Sequence, residues 1–251
     1  MDFSLSAEVL ALLFFVAIAA GFIDTLAGGG GLITIPVFLI LQIPPLEALA
    51  TNKLQASFGS FTASITMLRK RVIRWSKVRA AFFASLIGSS VGTVLVHFVE
   101  AELLIQLIPA ILIAVALYFA LVKQVGAVEK DAIISEKKYH LGVVPAIGFY
   151  DGFFGPGTGS FFTFANVALM GRTIINATAN AKCLNFASNI ASLVVFIASG
   201  HILWLVGAVM IIGQIIGARL GSHAVLNHGQ TLIRPFIVII CLLMCIKLLL
   251  F

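Results

Sequence analysis

Two aspartates and two lysines lie within or beside apolar stretches of this sequence: Asp24, Lys53, Asp151 and Lys182. If those stretches cross a bilayer, a charge at its centre costs at least about 2.5–3.5 kcal/mol on insertion scales. Each of the four side chains should therefore face an internal cavity and have a partner there. One acid and one lysine in each half of the chain predict a site for an ion or a small charged solute.

A cluster of glycines follows each aspartate. The first stretch reads GFIDTLAGGGG over residues 21–31, and the second reads GFYDGFFGPGT over residues 148–158. A helix that begins just after such a cluster points free N–H groups and the positive end of its dipole into the loop. Two such helix ends and two lysines suit an anion, although glycines also permit close helix crossing without any ligand. The loop residues expected to bind the anion are Gly28, Gly29, Gly30, Gly31, Gly155, Gly157, Thr158, Gly159 and Ser160.

Amide side chains surround both lysines. If a helix begins at Lys182, Asn185 at i+3 and Asn189 at i+7 lie on its face and supply hydrogen-bond donors to one cavity. The alternative, which fits Asn189 equally well, is that such amides only link helices. Together with the lysines, the side chains expected to bind substrate are Asn52, Lys53, Gln55, Asn180, Lys182 and Asn185.

The two acids, Asp24 and Asp151, have three candidate roles. Either can carry a coupling proton, as intramembrane carboxylates do in transporters. Alternatively, Asp24 with Lys53 and Asp151 with Lys182 form ion pairs that only hold helices together. A third hypothesis makes the two acids ligands of a cation or metal. Oxygen-rich cation sites prefer several carboxylates, however, and here each acid is matched by a lysine. We therefore expect no metal site and no cofactor.

The composition predicts an integral membrane protein. Of 251 residues, 61% are hydrophobic and only 10% are charged, against about 25% charged in ordinary globular domains. The mean hydropathy is +1.12. The expected partner of this surface is the lipid bilayer, so the formal charge of +6 reports topology rather than nucleic-acid binding. No HExxH, GxSxG or phosphate-loop motif is present, and we do not expect an enzyme.

Ten apolar runs follow one another, and six or seven of them are long enough to cross a ~30 Å hydrocarbon core as a helix. This pattern predicts an all-α, polytopic helical bundle. Two runs are too short, Leu32–Ile43 and Phe161–Met170, and each follows a glycine cluster. Irregular backbone at membrane depth must face protein or water, so we expect a broken or re-entrant helix in each half. Whether these short segments span or re-enter is left open.

The two halves of the chain correspond to each other. Asp24 matches Asp151 at a separation of 127 residues, and Lys53 matches Lys182 at a separation of 129. An ordered series of such matches indicates an internal repeat. We predict a first transmembrane repeat over residues 1–123, a cytoplasmic linker over 124–140 and a second repeat over 141–251. Further matches at 129 residues join Trp75 to Trp204, Gly88 to Gly217, and Gly92 to Gly221.

Charge in the loops predicts that the repeats are inverted. Residues 69–79 contain six basic side chains, whereas the matching stretch around Ser199–Trp204 contains only His201. The positive-inside rule places the first loop in the cytoplasm and its counterpart outside. Each repeat then makes an odd number of crossings of the cytoplasmic (inner) membrane, and both termini lie on its outer side. Nothing in the sequence fixes the oligomeric state, and a homo-oligomer is compatible with it.

The motifs resemble those of a known family. GFIDTLAGGGGLITIP at residues 21–36, ALATNKLQASFGSF at 48–61 and GFYDGFFGPGTGSFF at 148–162 are similar to the TauE/SafE family of sulfite exporter-like membrane proteins, and within it to the YfcA-like branch. The resemblance covers nearly the whole chain. It implies the export of small sulfur-containing anions, such as sulfite or organosulfonates, across the cytoplasmic membrane.

These observations together predict a secondary transporter for a small anionic substrate. We expect alternating access, with the anion held between the two glycine loops near the lysines while the repeats rock about it. Two alternatives remain at this point: a cation or metal carrier that uses Asp24 and Asp151, and a membrane scaffold that transports nothing.

Overall fold

The computed structural model of the chain describes residues 6–121 and 129–228, and within these ranges the protein is all-helical, without a strand. The predicted all-α class is therefore confirmed. The predicted position of both termini concerns residues 1–5 and 229–251, which lie outside the described residues. The helices are α1 (Ala7–Ala27), α2 (Gly31–Ile40), α3 (Pro45–Arg69), α4 (Trp75–Val96), α5 (Ala101–Leu121), α6 (Glu136–Lys138), α7 (Val144–Phe153), α8 (Thr158–Ala168), α9 (Ile174–Ser199) and α10 (Trp204–His228), and a π-helical turn, Tyr139–Val143, joins α6 to α7.

Helices of two lengths make up the bundle. Among the described residues, α1, α4, α9 and α10 are long and apolar enough to cross a membrane. In contrast, α2 has 10 residues and α8 has 11, so at 1.5 Å per residue each spans only about 15–17 Å, roughly half of a hydrocarbon core. The short segments predicted after the glycine clusters are thus present as short helices.

The hydrophobic core lies in separate clusters along the bundle. Near the start of α1, Leu13 packs in one cluster with Phe38 of α2 and Met210 of α10. Near the end of α1, Leu26 packs in another cluster with Met67 of α3 and Phe162 of α8. Because Leu13 and Leu26 lie about 20 Å apart along one helix, these two clusters mark opposite ends of the bundle, here named the α1-start end and the α1-finish end.

The chain reverses direction after α1 and again after α7. Near its end, helix α2 places Phe38 in the cluster of the α1-start end, where α1 began. Helix α7 begins with Val144 in the cluster of the α1-finish end, and the chain returns to that cluster at Ala165 of α8 and at Met170, just after α8. The α1–α2 and α7–α8 hairpins therefore enter the bundle from opposite ends.

The two most extensive helix contacts, α1 with α10 and α4 with α7, each join one half of the chain to the other. Both rely on glycine. A Cβ on Gly217 of α10 would overlap the backbone carbonyl of Ile18, and a Cβ on Gly88 of α4 would overlap that of Pro145. Small residues allow such close backbone approach between membrane helices. Gly92 of α4 and Gly221 of α10 meet backbone carbonyl oxygens in the same way, so these glycines are helix-packing residues.

We expect Gly217→Ala to destabilise the protein by about 1–3 kcal/mol, because the added methyl group must push α10 away from α1. Thermal unfolding of the purified protein in detergent measures this effect. Gly142→Ala in the π-helical turn is the matched control, since a Cβ there meets nothing within 4 Å. Equal melting temperatures for the two variants would contradict the packing assigned to Gly217.

Candidate functional site

The two glycine loops cross in direct backbone contact. Gly28 caps the end of α1 in a left-handed conformation with φ 74°, which favours glycine. A Cβ on Gly28 would overlap the backbone of Gly159 and Ser160 in the other half. The Ser160 hydroxyl also donates a hydrogen bond to the carbonyl oxygen of Ala27. The tips of the two hairpins therefore hold each other in place.

The first loop is closed by its own acid. The Gly28 N–H donates to the Asp24 carbonyl oxygen at 2.6 Å, and the Gly30 N–H donates to Asp24 Oδ1 at 3.3 Å. Helix α2 begins directly afterwards, with Gly30 at its N-cap. The Asp24 carboxylate thus occupies the positive end of α2, the position that the sequence predicted for an anion.

The second loop is held by side chains of its flanking helices. Tyr150 donates from its hydroxyl to the Pro156 carbonyl oxygen at 2.7 Å, and the Thr158 hydroxyl donates to the Gly155 carbonyl oxygen at 2.8 Å. Gly155 has φ 95°, and a Cβ on it would lie 3.0 Å from Nζ of Lys53. This loop accordingly packs against a lysine of the first half.

The ion pairs cross between the halves. Nζ of Lys53 lies 2.8 Å from Oδ1 of Asp151, and Nζ of Lys182 lies 3.1 Å from Oδ2 of Asp24. Lys182 also donates to the Asp24 backbone carbonyl oxygen. The pairing of Asp24 with Lys53 and of Asp151 with Lys182, which the alternative hypothesis assumed, is wrong. The reason is that the lysines project from α3 and α9, which pack together, and each reaches the loop of the opposite half.

Burial makes these pairs strong local constraints. Lys53 and Asp151 are each 1% exposed and Lys182 is 0% exposed, while the Asp24 side chain is 16% exposed. Breaking a buried pair by removing one partner leaves an uncompensated charge, which costs about 3–5 kcal/mol. The four formal charges sum to zero when all are ionised, so the site is neutral as it stands.

Two asparagines of α9 complete the Lys53–Asp151 pair. Asn189 accepts a hydrogen bond from Nζ of Lys53 at 3.2 Å, and Asn185 donates to Oδ2 of Asp151 at 3.4 Å. Asn185 and Asn189 share a face with Lys182, as predicted. The helix that carries them, α9, begins eight residues before Lys182, at Ile174. The shared face survives because these residues keep their helical spacing.

On α3, the amides of Asn52 and Gln55 form a separate cluster. Oδ1 of Asn52 accepts from Gln55 Nε2 at 2.9 Å and from the Thr34 hydroxyl at 2.6 Å. Oε1 of Gln55 is buried and has no hydrogen-bond partner among the described residues. Asn52 therefore joins α3 to α2 while one face of it borders the site.

A small, partly open cavity of about 20 Å³ lies at the crossing of the loops. Its walls combine both acids, glycines of both loops and amides of three helices. They are formed by Asp24, Gly28, Gly30, Gly31, Asn52, Ala56, Asp151, Gly155, Gly159, Asn185, Asn189 and Gln214. Most of these positions were predicted from the sequence, and the structure brings them together around one space.

Several predicted residues do not line the cavity. Asn180 donates its amide to the carbonyl oxygen of Asn176 within its own helix, at 2.7 Å, and is not part of the cavity wall. Thr158, with Ser160, lies in the first turn of α8 and bonds backbone carbonyl oxygens, as described above. Lys53 and Lys182 do not line the cavity themselves but form ion pairs with Asp151 and Asp24, which do. The remaining predicted residues outside the wall are Gly29, Gln55 and Gly157.

Three lining residues were not among those predicted to bind substrate: Ala56, Asn189 and Gln214. Asn189 was considered equally as a donor to the cavity and as a link between helices, and it was left out of the predicted set. Gln214 lies in the middle of the apolar run that forms α10, and a buried amide at that depth needs a hydrogen-bonding partner or a function. This requirement of buried amides could have identified Gln214 from the sequence. It was missed because Gln214 is not close in sequence to either lysine.

The arrangement favours an anion over a cation. In the described part of the chain, no group of three or more histidine, cysteine, aspartate or glutamate side chains is placed to hold a metal ion. Each carboxylate already has a lysine within salt-bridge distance, so a cation would have to compete with that lysine. An anion, in contrast, can replace a carboxylate at a lysine without changing the kind of contact that the lysine makes.

Comparisons with known proteins agree over nearly the whole length. Residues 13–248 match the family described as "Sulfite exporter TauE/SafE". The chain is 45% identical over 247 residues to "Probable membrane transporter protein YfcA" of Escherichia coli K12, covering 98% of this chain and 92% of that protein. It is 44% identical over 240 residues to a "Probable membrane transporter protein" of Haemophilus influenzae, covering 96% and 94%. No solved structure matches the chain significantly.

We expect a double-mutant cycle to show that Lys53 is coupled to Asp151 rather than to Asp24. Lys53→Met alone should cost about 3–5 kcal/mol of unfolding free energy, because Asp151 is left buried and unpaired. Adding Asp151→Asn should restore more than about 1 kcal/mol of that loss, whereas adding Asp24→Asn should restore less than about 0.5 kcal/mol. Unfolding in detergent measures both cycles. Equal coupling in the two cycles would contradict the crossed pairing.

Proposed function

Because the chain belongs to the sulfite exporter TauE/SafE family, we propose that it is a multi-pass secondary transporter that exports small sulfur-containing anions, such as sulfite or organosulfonates. The resemblance seen in the motifs is confirmed by the family match and by the relatives. Those relatives are named membrane transporters, and the protein is accordingly a membrane transporter and not an enzyme. We propose that the protein lies in the cytoplasmic membrane.

One observation supports the anion proposal most directly: two buried lysines meet two helix N-termini at the crossing of the glycine loops. Helix N-termini and lysines both stabilise negative charge. In the structure the lysines are held by the carboxylates of Asp24 and Asp151, which are themselves small oxyanions, and the Asp24 carboxylate also accepts from Gly30 at the start of α2. A sulfite or sulfonate group presents the same kind of acceptor oxygens. The substrate anion therefore takes the place of a carboxylate.

We propose further that the two halves are inverted repeats with re-entrant hairpins. The α1–α2 and α7–α8 hairpins enter from opposite ends of the bundle, which supports this topology. The contacts of α1 with α10 and of α7 with α4 are equivalent under the repeat. Transporters with inverted repeats hold substrate where broken helices from the two repeats meet. In this proposal the two hairpin tips open in turn, each to a different side of the membrane.

Charge neutrality supports proton coupling. The site holds two acids and two lysines, so an added anion leaves a net negative charge in a low-dielectric environment. Protonation of the displaced carboxylate cancels that charge. We therefore propose that Asp24 or Asp151 takes up a proton when the anion binds, and that anion and proton cross the membrane together. The gradients of both species then determine the direction of net transport.

We expect Lys53→Ala and Lys182→Ala each to reduce sulfite transport in proteoliposomes at least about 10-fold, the value of one charge-assisted hydrogen bond. Lys77→Ala, at an exposed position in the first turn of α4, is the control and should transport normally. The double variant Lys53→Met, Asp151→Asn keeps the site neutral and should fold while remaining inactive. Wild-type transport by both lysine variants would contradict the site.

We expect sulfite entry to be accompanied by about one proton per singly charged anion, because the neutral site rejects an uncompensated charge. Weakly buffered proteoliposomes with a pH indicator inside measure the ratio. In Asp151→Asn the proton flux should fall relative to the anion flux, while Glu47→Gln, at the α1-start end of α3 and away from the cavity, should keep the wild-type ratio. Anion flux without any proton flux in the wild type would contradict the coupling.

A further inference from the structure

Gln214 is a buried polar side chain without a partner. It is 2% exposed, it lines the cavity, and its amide makes no hydrogen bond within residues 6–121 and 129–228. The asparagines of the cavity wall differ, since Asn52, Asn185 and Asn189 are all hydrogen-bonded. A buried amide without a partner is unfavourable. Its presence in the wall indicates a partner that arrives with the substrate.

The surrounding helices make room for this amide. A Cβ on Gly21 of α1 would lie 2.7 Å from Oε1 of Gln214, and a Cβ on Gly59 of α3 would lie 2.5 Å from it. Any larger residue at either position would displace the amide. Glycines on two neighbouring helices thus enclose the Gln214 side chain, so that it is positioned before substrate binds, which lowers the entropic cost of binding.

The amide also breaks the symmetry of the site. At the repeat separation of 129 residues, the counterpart of Gln214 is Ser85 of α4. The Ser85 hydroxyl is already used, because it donates to the carbonyl oxygen of Leu184 at 2.8 Å. The lysines and acids are therefore duplicated in the two halves, whereas the amide of Gln214 on α10 has no equivalent at Ser85 of α4.

We propose that Gln214 is a specificity-determining residue that hydrogen-bonds an oxygen atom of the bound oxyanion. This inference rests on the proposed anion transport. The lysines attract any anion by charge, whereas a neutral amide adds a directional contact that depends on where the acceptor oxygen lies. A substrate with oxygens at a fixed distance from its centre satisfies both contacts, and a spherical halide does not. Gln214 therefore favours oxyanions over halides and holds the substrate toward α10.

The test uses Gln214→Met, which keeps the length of the side chain and removes its hydrogen bonds. In titration calorimetry of the full chain in detergent, the affinity for sulfite should fall about 10- to 100-fold, while the weak affinity for chloride should change less than about threefold. Ser85→Ala is the matched control at the equivalent position of the repeat. It removes a hydroxyl that already has a partner, and its affinity for sulfite should equal that of the wild type.

Thermal unfolding without ligand separates this role from a structural one. Because Gln214→Met removes an unpartnered buried amide, its melting temperature should equal or exceed that of the wild type. A lower melting temperature together with unchanged sulfite affinity would show that the amide only holds helices together, and would overturn the inference. If the wild type binds sulfite and Gln214→Met binds it equally well, this inference alone fails. If the wild type binds no sulfite, the proposed function fails and the inference fails with it.

Discussion

The pairing of each buried lysine with an acid from the opposite half is the constraint on which the rest of the site depends. Lys53 binds Asp151 and Lys182 binds Asp24, so neither half can neutralise its own charges. A buried pair of this kind contributes little net stability, because desolvation offsets most of the attraction. Its presence is better explained by a function that uses the charges. The crossing also means that any relative movement of the halves must change both pairs.

Glycine is what makes this crossing geometrically feasible. The acids lie next to the hairpin tips, and they reach the lysines of the other half only if the tips meet without side chains between them. Gly28 and Gly159 supply that contact, with backbone against backbone. The same requirement recurs along α10 and α4, where glycines bring each helix onto the backbone of its partner. The glycine clusters are therefore needed both for the loops and for the interfaces that support them.

The sequence was sufficient for the chemistry of the site and insufficient for its connections. Residue type and depth identified Lys53, Lys182 and the two acids, because an ionisable group in an apolar run is costly wherever the chain places it. The short helices followed from segment length alone. The partners of the lysines could not be predicted, because in the proposed inverted repeat equivalent residues lie on opposite sides of an axis. Sequence separation then does not show which acid is nearer to which lysine. Asn180 illustrates the same limit. Its amide bonds a carbonyl oxygen of its own helix instead of lining the cavity, and sequence spacing does not distinguish these two outcomes.

Within the proposed mechanism, the acids and the substrate compete for the same lysines, and this competition links binding to movement. While a carboxylate holds the lysine of the other half, the two halves are tied at the hairpin crossing. An anion that replaces the carboxylate removes one such tie and keeps the lysine satisfied, so the substrate-bound state differs from the empty state in how firmly the halves are joined. A ligand shifts a conformational equilibrium only through such a difference in interaction between states. The crossed pairs supply that difference, and pairs formed within each half would not, because they would leave the contact between the halves unchanged whether or not substrate is bound.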